Sequence, residues 1–454
     1  MGNIINHLLI IGGSDAGISG ALRARELDRS VGITVVLADN FPNFSICGLP
    51  FYLSGEVPDW QSLAHRTIAA LADQGIRLLL NHTARLVDPT NKIVTIDDPE
   101  RKSLKLQYDR LIIATGAVPI APPIPGLDLQ GVYFLRTMAD SFAVYRHLES
   151  ADTRSVVILG SGYIGMEMAD AMRRRNLNVT VVGRSSTIFK TVDAELGLMI
   201  EDELQRHGVK VAAGVAAEEI FWNGRRLVVS GTQGFRTEAD MVLVSAGVLP
   251  STELARSAGI GMGYRDAIGV NRRMETNVSD IYSAGDCVET WHRLLKQSTY
   301  LPLGTTAHKQ GRIAGENAVG GSREYAGSLG TQVVKIFDLA VARTGLRDTE
   351  ANSAGFRPGS VELTAFDHKI YYPGAHPLRI RITGDKQTGL LLGAQIVGHY
   401  QAEVAKRIDI FATALFHGMH VEDLNDLDLS YTPPLGSPWD PVQMSAQKWM
   451  CSEL

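Results

Sequence analysis

Two stretches of this chain repeat one succession of elements, and that duplication constrains the fold more than any other feature. Residues 7–39, HLLIIGGSDAGISGALRARELDRSVGITVVLAD, read as strand, glycine turn, helix and strand. Residues 155–183, SVVILGSGYIGMEMADAMRRRNLNVTVVG, read the same way. In each, a run of β-branched apolar residues predicts a parallel strand buried on both faces. The apolar positions that follow recur on one helix face. Such a unit closes into a parallel sheet through a right-handed crossover. Its glycine turn aims backbone N–H groups of a helix N-terminus at a pyrophosphate. Two units therefore predict two nucleotide-binding α/β domains, and 454 residues leave room for about three domains in all.

The remaining segment, 323–454, changes character. It carries strand-like runs (TQVVKIFDLAVART, LRIRITGD, LLLGAQIVG), a helix over 401–417 and a Pro-rich stretch, YTPPLGSPWDPVQ. That pattern predicts an α+β domain with antiparallel strands. The Met and aromatic residues of 439–450 are expected in a dimer core. A net charge of -5 argues against nucleic acid or a polybasic membrane anchor as a partner. No apolar run reaches the roughly 18 residues of a membrane helix, and MGNIINHLLIIGG reads as a first strand, not a signal peptide. Three widely spaced cysteines, Cys47, Cys287 and Cys451, form neither a disulfide framework nor a metal site. A cytoplasmic location is expected, where a lone cysteine is a packed hydrophobe or a working thiol.

The first turn runs Gly12, Gly13, Ser14, Asp15, Ala16, Gly17, with serine in the middle glycine place. An acid for a ribose hydroxyl belongs about 20 residues on; Leu37 holds that spacing, so Asp39, two residues later, is the expected ligand. The second turn, with Gly160, Gly162, Tyr163, Ile164 and Gly165, matches the glycine pattern in full. Its second strand ends in Gly183, Arg184, Ser185 and Ser186 instead of an acid. An arginine flanked by hydroxyls accepts a 2′-phosphate, so NADPH is expected ahead of NADH, the alternative being that Arg184 is a solvated surface charge. A third motif, TNVSDIYSAGD over 276–286, is an apolar strand ending in Ala284, Gly285 and Asp286. Ala114, Thr115 and Gly116 close another strand.

With these motifs the chain resembles the pyridine nucleotide–disulfide oxidoreductases over essentially its whole length. The resemblance implies two Rossmann-like domains and a C-terminal α+β dimerisation domain. FAD would be held by 1–115 with 248–322, NAD(P) by 116–247, and a homodimer by 323–454. It implies flavin contacts at Asp286 and Gly285, at Ala114, Thr115 and Gly116, and at Thr306 and Ala307, where a helix begins near Gly304. On the NAD(P) side, Tyr163 would be a lid over the flavin, with Glu167 near the nicotinamide and Gly247 among the cofactor contacts. Plain packing is the alternative for Tyr163 and Glu167.

Cys47 lies in Ser45, Ile46, Cys47, Gly48, Leu49, Pro50, Phe51, Tyr52. Glutathione-reductase relatives carry a second cysteine where this chain has Tyr52, so the resemblance is to the single-cysteine group: coenzyme A disulfide reductases, persulfide reductases, NADH peroxidases and NADH oxidases. Helix opening at Gly48 and Pro50, together with a neighbouring flavin, is expected to favour the thiolate. Peroxidases and oxidases carry a histidine where Asp15 stands. Tyr371 and Tyr431, in Tyr-Tyr-Pro-Gly and Ser-Tyr-Thr-Pro-Pro, match tyrosines that serve the leaving thiolate across the dimer; aromatic packing at the interface is their alternative. Arg23, Arg25 and Ser45 would meet the substrate, although Glu26 stands where the family has a basic residue. His65 and Arg66 read as a polar pair near the thiol or as a helix cap.

The reading that follows is an FAD-dependent NAD(P)H reductase of a small disulfide or persulfide, acting through Cys47. Its rivals are an oxidase or peroxidase using a Cys47 sulfenic acid, a reductase of an iron–sulfur protein, and a non-catalytic FAD-binding redox sensor.

Overall fold

The two predicted units open two separate five-stranded parallel sheets in the computed structural model, which describes residues 5–452. In the first sheet the order is Ile281–Ser283, Arg110–Ile113, His7–Ile11, Gly32–Val36, Ile76–Leu79, every pairing parallel. In the second it is Lys210–Ala213, Asn178–Gly183, Ser155–Leu159, Met241–Val244, Val132–Phe134, again all parallel. Leu8 through Ile11 and Val156 through Leu159 are all buried, as a strand covered on both faces must be.

The duplication extends to single hydrogen bonds. Gly12 donates its N–H to the Val36 carbonyl at 2.9 Å, and Gly160 to that of Val182 at 2.9 Å. Both turn glycines have positive φ, +113° and +126°. A Cβ on Gly12 would stand 2.0 Å from the Ala114 carbonyl oxygen, and one on Gly160 2.3 Å from that of Ser245. Only glycine serves there.

Each parallel sheet carries a three-stranded antiparallel appendage that the sequence pattern did not announce: Thr83–Asp88, Ile93–Asp97 and Ser103–Gln107 in one, Ala217–Trp222, Leu227–Gly231 and Arg236–Ala239 in the other. Their outer strands are largely exposed and lack a clean alternation. Ala117–Pro119 pairs antiparallel with Val248–Pro250 where the chain leaves the first unit and returns to it. Helix Gly304–Ala318 then lies directly on helix Asp15–Leu27, so close that a Cβ on Gly311 would sit 2.1 Å from the Ala16 carbonyl oxygen. That contact brings the start of the later helix to the first glycine turn.

The C-terminal domain is the predicted antiparallel α+β unit. Its sheet runs Gln332–Ile336, Leu339–Gly345, Leu391–His399, Pro377–Asp385, Pro358–Phe366, with helices Val404–His417 and Pro441–Ser452 packed against it. The expectation that 439–450 forms a dimer core is corrected at Trp449. Trp449 is buried in its own domain and donates its ring N–H to the Gly359 carbonyl at 2.7 Å. Trp439, in contrast, is 64% exposed. No helix among the described residues is long and apolar enough to cross a membrane.

Candidate active site

The segment bearing Cys47 is stitched to two others before it turns into a helix. Asn43, in the left-handed region (φ 56°), donates its N–H to the Gly13 carbonyl at 2.8 Å and accepts from the His65 N–H at 2.9 Å. Ser45 donates to the Leu63 carbonyl at 2.8 Å. His65 and Arg66 thus flank the thiol segment, with an Arg66 to Asn43 Oδ1 hydrogen bond at 3.4 Å; the helix cap beyond them is Thr67. A tight turn, Ile46–Gly48, leads into the short helix Leu49–Ser54 with Pro50 in its first turn. Tyr52, where a second cysteine would stand, is a buried ring stacked on Tyr145 at 5.0 Å. No sulfur partner is available at that position, and all three cysteines are free.

Cys47 is open to solvent, yet protein crowds its other sides. Burial pushes its thiol up, and the carboxylates of Glu167, Asp15 and Asp286 push the same way, with Arg136 opposing. In the protein chain alone, burial and these acids therefore work against the thiolate that the helix start was expected to favour. The physical reason is that a helix as short as Leu49–Ser54 has little dipole to offer, while three acids converge from separate segments. Asp15 is itself raised by burial, against the pull of His65 and His308. Glu167 is pushed to about 7, first by burial and then by Asp170. Asp170 is pinned by Arg174 at 2.7 Å, Lys335 at 3.0 Å and the Phe337 N–H at 3.0 Å.

The first glycine turn fits a dinucleotide such as FAD. Its helix begins without a side-chain cap, so its N–H groups remain to be bound. Leu37 is buried against Gly13 as core, which leaves Asp39 as the acid at the strand end. Gly116 and Gly285 both have positive φ, and a Cβ on Gly285 would come 2.8 Å from that of Ala16. Thr115 is committed to the Ser251 carbonyl at 2.7 Å. Thr306 and Ala307 are buried in the first turn of Gly304–Ala318. Asp286 pairs with Arg136 at 2.7 Å, and the Tyr300 hydroxyl donates to its carbonyl at 2.9 Å. Sequence reasoning missed Arg136 and Tyr300. Arg136 precedes the Thr137–Asp140 capping box, where an arginine carries no signal of its own.

At the second turn Gly162 has open space around it, and Tyr163, Ile164 and Gly165 start the helix. The Tyr163 ring meets Phe189 edge-on at 5.0 Å. Arg184 is exposed, and no ion pair or hydrogen bond holds it among the described residues. Ser185 accepts the Gly214 N–H at 2.7 Å through its carbonyl, leaving its hydroxyl free for a ligand. Gly247 (φ +112°) accepts from Ile120 at 2.9 Å. The pattern fits a nucleotide with a 2′-phosphate.

Two expected substrate contacts are corrected. Arg25 donates to the carbonyls of Gln74, Asp28, Arg29 and Gly75, which makes it an anchor of the neighbouring loops. Arg23 is locked by Glu316 at 2.8 Å and Glu26 at 2.9 Å. Hydrogen bonds from Arg312 and then Arg23 hold the Glu26 carboxyl down at about 2. The departure noted at Glu26 thus closes an ion-pair ladder between the two packed helices. Ser45 stays beside Cys47. Tyr371 and Tyr431 come together as neighbours, at 71% and 45% exposure. No hydrogen bond or ring contact ties either to the Cys47 segment of its own chain among the described residues. Cys287 is buried against the Ala284 carbonyl, and Cys451 is exposed near the C-terminus.

Residues 6–311 match the model of the pyridine nucleotide-disulphide oxidoreductases, and 331–440 match that of their dimerisation domain. The chain belongs to this family. Members of the family bind FAD and NAD(P)H. The chain is 33% identical over 97% of its length, and 98% of the relative's, to the NAD(P)H sulfur oxidoreductase (CoA-dependent) of Pyrococcus furiosus. It is 31% identical, over 97% of each chain, to an NADH oxidase of Methanocaldococcus jannaschii. The solved NAD-dependent persulfide reductase from A. fulgidus superposes with a TM-score of 0.95 at 34% identity, covering 98% of this chain and 83% of that one. This protein is therefore an oxidoreductase of the disulfide and persulfide reductase family.

Proposed function

We propose that the protein reduces a low-molecular-weight disulfide or persulfide with NAD(P)H through Cys47 as its sole redox sulfur. The observation that carries this is the convergence on Cys47 of residues from both nucleotide sites, Asp15 and Asp286 from one and Glu167 from the other, with a buried ring at Tyr52. The names of the sulfur and persulfide reductases it resembles support the same class. In this reading FAD is held by 1–115 with 248–322 and NADPH, preferred over NADH, by 116–247. Arg136 and Asp286 lie where they would meet the flavin side of the site.

FAD, when bound, supplies the two electrons that NAD(P)H donates and a sulfur–sulfur bond accepts. The chain's own part starts with the Cys47 thiol, which gives up its proton before attack. Its thiolate then displaces one sulfur of the incoming disulfide or persulfide, releasing a thiolate or hydrosulfide and leaving a mixed disulfide on Cys47. Two electrons and two protons return Cys47 to the thiol and release the second thiol product. Per turnover, NAD(P)H and one proton convert one disulfide to two thiols. A phenol with a pKa near 10 donates well to a departing thiolate. We assign that role to Tyr371 and Tyr431 of the partner subunit in a homodimer formed through 323–454. Their exposure beside Ile370, Leu435 and Trp439, all exposed, supports this assignment. Coenzyme A itself is not assigned, because the basic helix face is neutralised by Glu26 and Glu316.

Cys47→Ser should retain FAD and NADPH-dependent flavin reduction while losing disulfide and persulfide reduction. Full retention of reductase activity refutes the proposal. Oxygen consumption stoichiometric with NAD(P)H and independent of any disulfide would favour an oxidase instead.

A further inference from the structure

The second nucleotide unit and the C-terminal domain meet at a cluster of donor atoms that the proposed reaction leaves unused. Helix Ala194–Arg206 presents Glu203, and His207, which caps it, lies four residues on along the same face. Against them the C-terminal domain sets the two-residue turn Phe337–Asp338, between paired Ile336 and Leu339. Phe337 is buried at φ +53°, and its ring stacks on the His207 imidazole at 4.1 Å and 5°, which fixes the plane of that imidazole. Carboxylates of the second unit accept both N–H groups of the turn: Phe337 donates to Asp170 and Asp338 to Glu203, each at 3.0 Å. The turn therefore brings the Asp338 carboxylate to His207 from a different domain.

His207 Nε2 lies 3.2 Å from Glu203 Oε1 and 3.6 Å from Asp338 Oδ2. A single ring N–H can serve only one of these oxygens well, whereas a cation bonds to all three atoms at once. Donors about 2.0–2.2 Å from a tetrahedral ion stand about 3.4 Å apart, and the two contacts bracket that separation. All three donor atoms lie within 4.8 Å of one another. A small rotation of the Asp338 side chain, 60% exposed, closes the third edge. Glu203 is buried and already braced, at Oε1 by the Asp338 N–H and at Oε2 by Arg206 at 2.5 Å. Outer partners of this kind orient ligating carboxylates. Calcium and magnesium take oxygen donors, while an imidazole suits zinc and its first-row neighbours. We propose that Glu203, His207 and Asp338 bind a divalent transition-metal ion of the zinc type, which clasps the second nucleotide unit to the C-terminal domain. The exposed sides of His207 and Asp338 leave a fourth position for water.

The experiment is a calorimetric titration of the FAD-loaded, chelator-treated protein with zinc chloride. Cys47→Ser combined with Cys451→Ser serves as the parent, so that neither exposed thiol takes up zinc. The parent should bind one zinc per chain with a micromolar or tighter Kd, and its thermal unfolding midpoint should rise with zinc. His207→Phe keeps a ring on Phe337 and removes the nitrogen donors; Asp338→Ala removes an exposed carboxylate and keeps the backbone N–H that Glu203 accepts. Each should weaken zinc binding about tenfold or more and lose the rise in midpoint. Should His207→Phe fail to retain FAD, Asp338→Ala decides the matter alone. Equal zinc affinity in the parent and Asp338→Ala, or binding to the parent only at millimolar zinc, overturns the site. Disulfide reduction plays no part in the readout, so the outcome is independent of the role given to Cys47.

Discussion

Glu167 offers a test of the site's electrostatics that is independent of any substrate. Burial, reinforced by the like charge of Asp170, raises its carboxyl from the ordinary 4.5 to about 7. Between those two values the native state holds a proton that the unfolded chain has released. Stability therefore falls as pH rises through this window, by about 1.4 kcal/mol per pH unit and roughly 3 kcal/mol in total, and levels off above the folded value. Glutamine mimics the protonated acid and does not titrate. Glu167→Gln should thus match wild type in acid and become more stable than it by up to about 3 kcal/mol above neutrality. Urea unfolding of the FAD-loaded protein across that pH range reads the difference directly. The same titration should put an inflection near pH 7 into NADPH-dependent flavin reduction, absent from the variant. A stability difference that does not change with pH would mean the carboxyl titrates as in an open chain, and the account of its burial would fail.

Two further outcomes separate the nucleotide sites. Gly160→Ala sets a Cβ 2.3 Å from the Ser245 carbonyl oxygen at a φ of +126°. Strain of this kind, of order 1–3 kcal/mol, should cut the rate of flavin reduction by NADPH about tenfold or more while the FAD content, read from the absorption spectrum, stays full. Arg184→Ala removes a cation with no partner among the described residues, so it should raise KM for NADPH about tenfold through one lost charge-assisted contact and leave that for NADH unchanged. A wild-type kcat/KM that clearly favours NADH would refute the assignment of Arg184.

Ion-pair placement shows where the sequence stops being informative. Glu26 was conspicuous as a departure from a basic face, but its partner Arg312 lies 286 residues away. Its meaning appears only when Gly311 lets two helices touch backbone to backbone. Arg25 and Arg23 looked like free cations on a helix face because neither the carbonyls near Gln74 and Gly75 nor the Glu316 carboxylate is visible from local spacing.

The sequence by itself determined both parallel sheets and the antiparallel C-terminal unit, and it singled out Cys47 as the proposed redox sulfur. These rest on local requirements: β-branched runs for strands covered on both faces, glycine where φ is positive and a carbonyl presses close, and a lone cysteine with tyrosine in its partner's place. Only the tertiary structure decided what surrounds that sulfur. Asp15, Glu167, Asp286 and Arg136 come from four separate segments, and their summed field, with burial, pushes the Cys47 thiol up. Backbone demands repeat along a chain and can be read from it. The charge around a buried group depends on which distant side chains packing brings together.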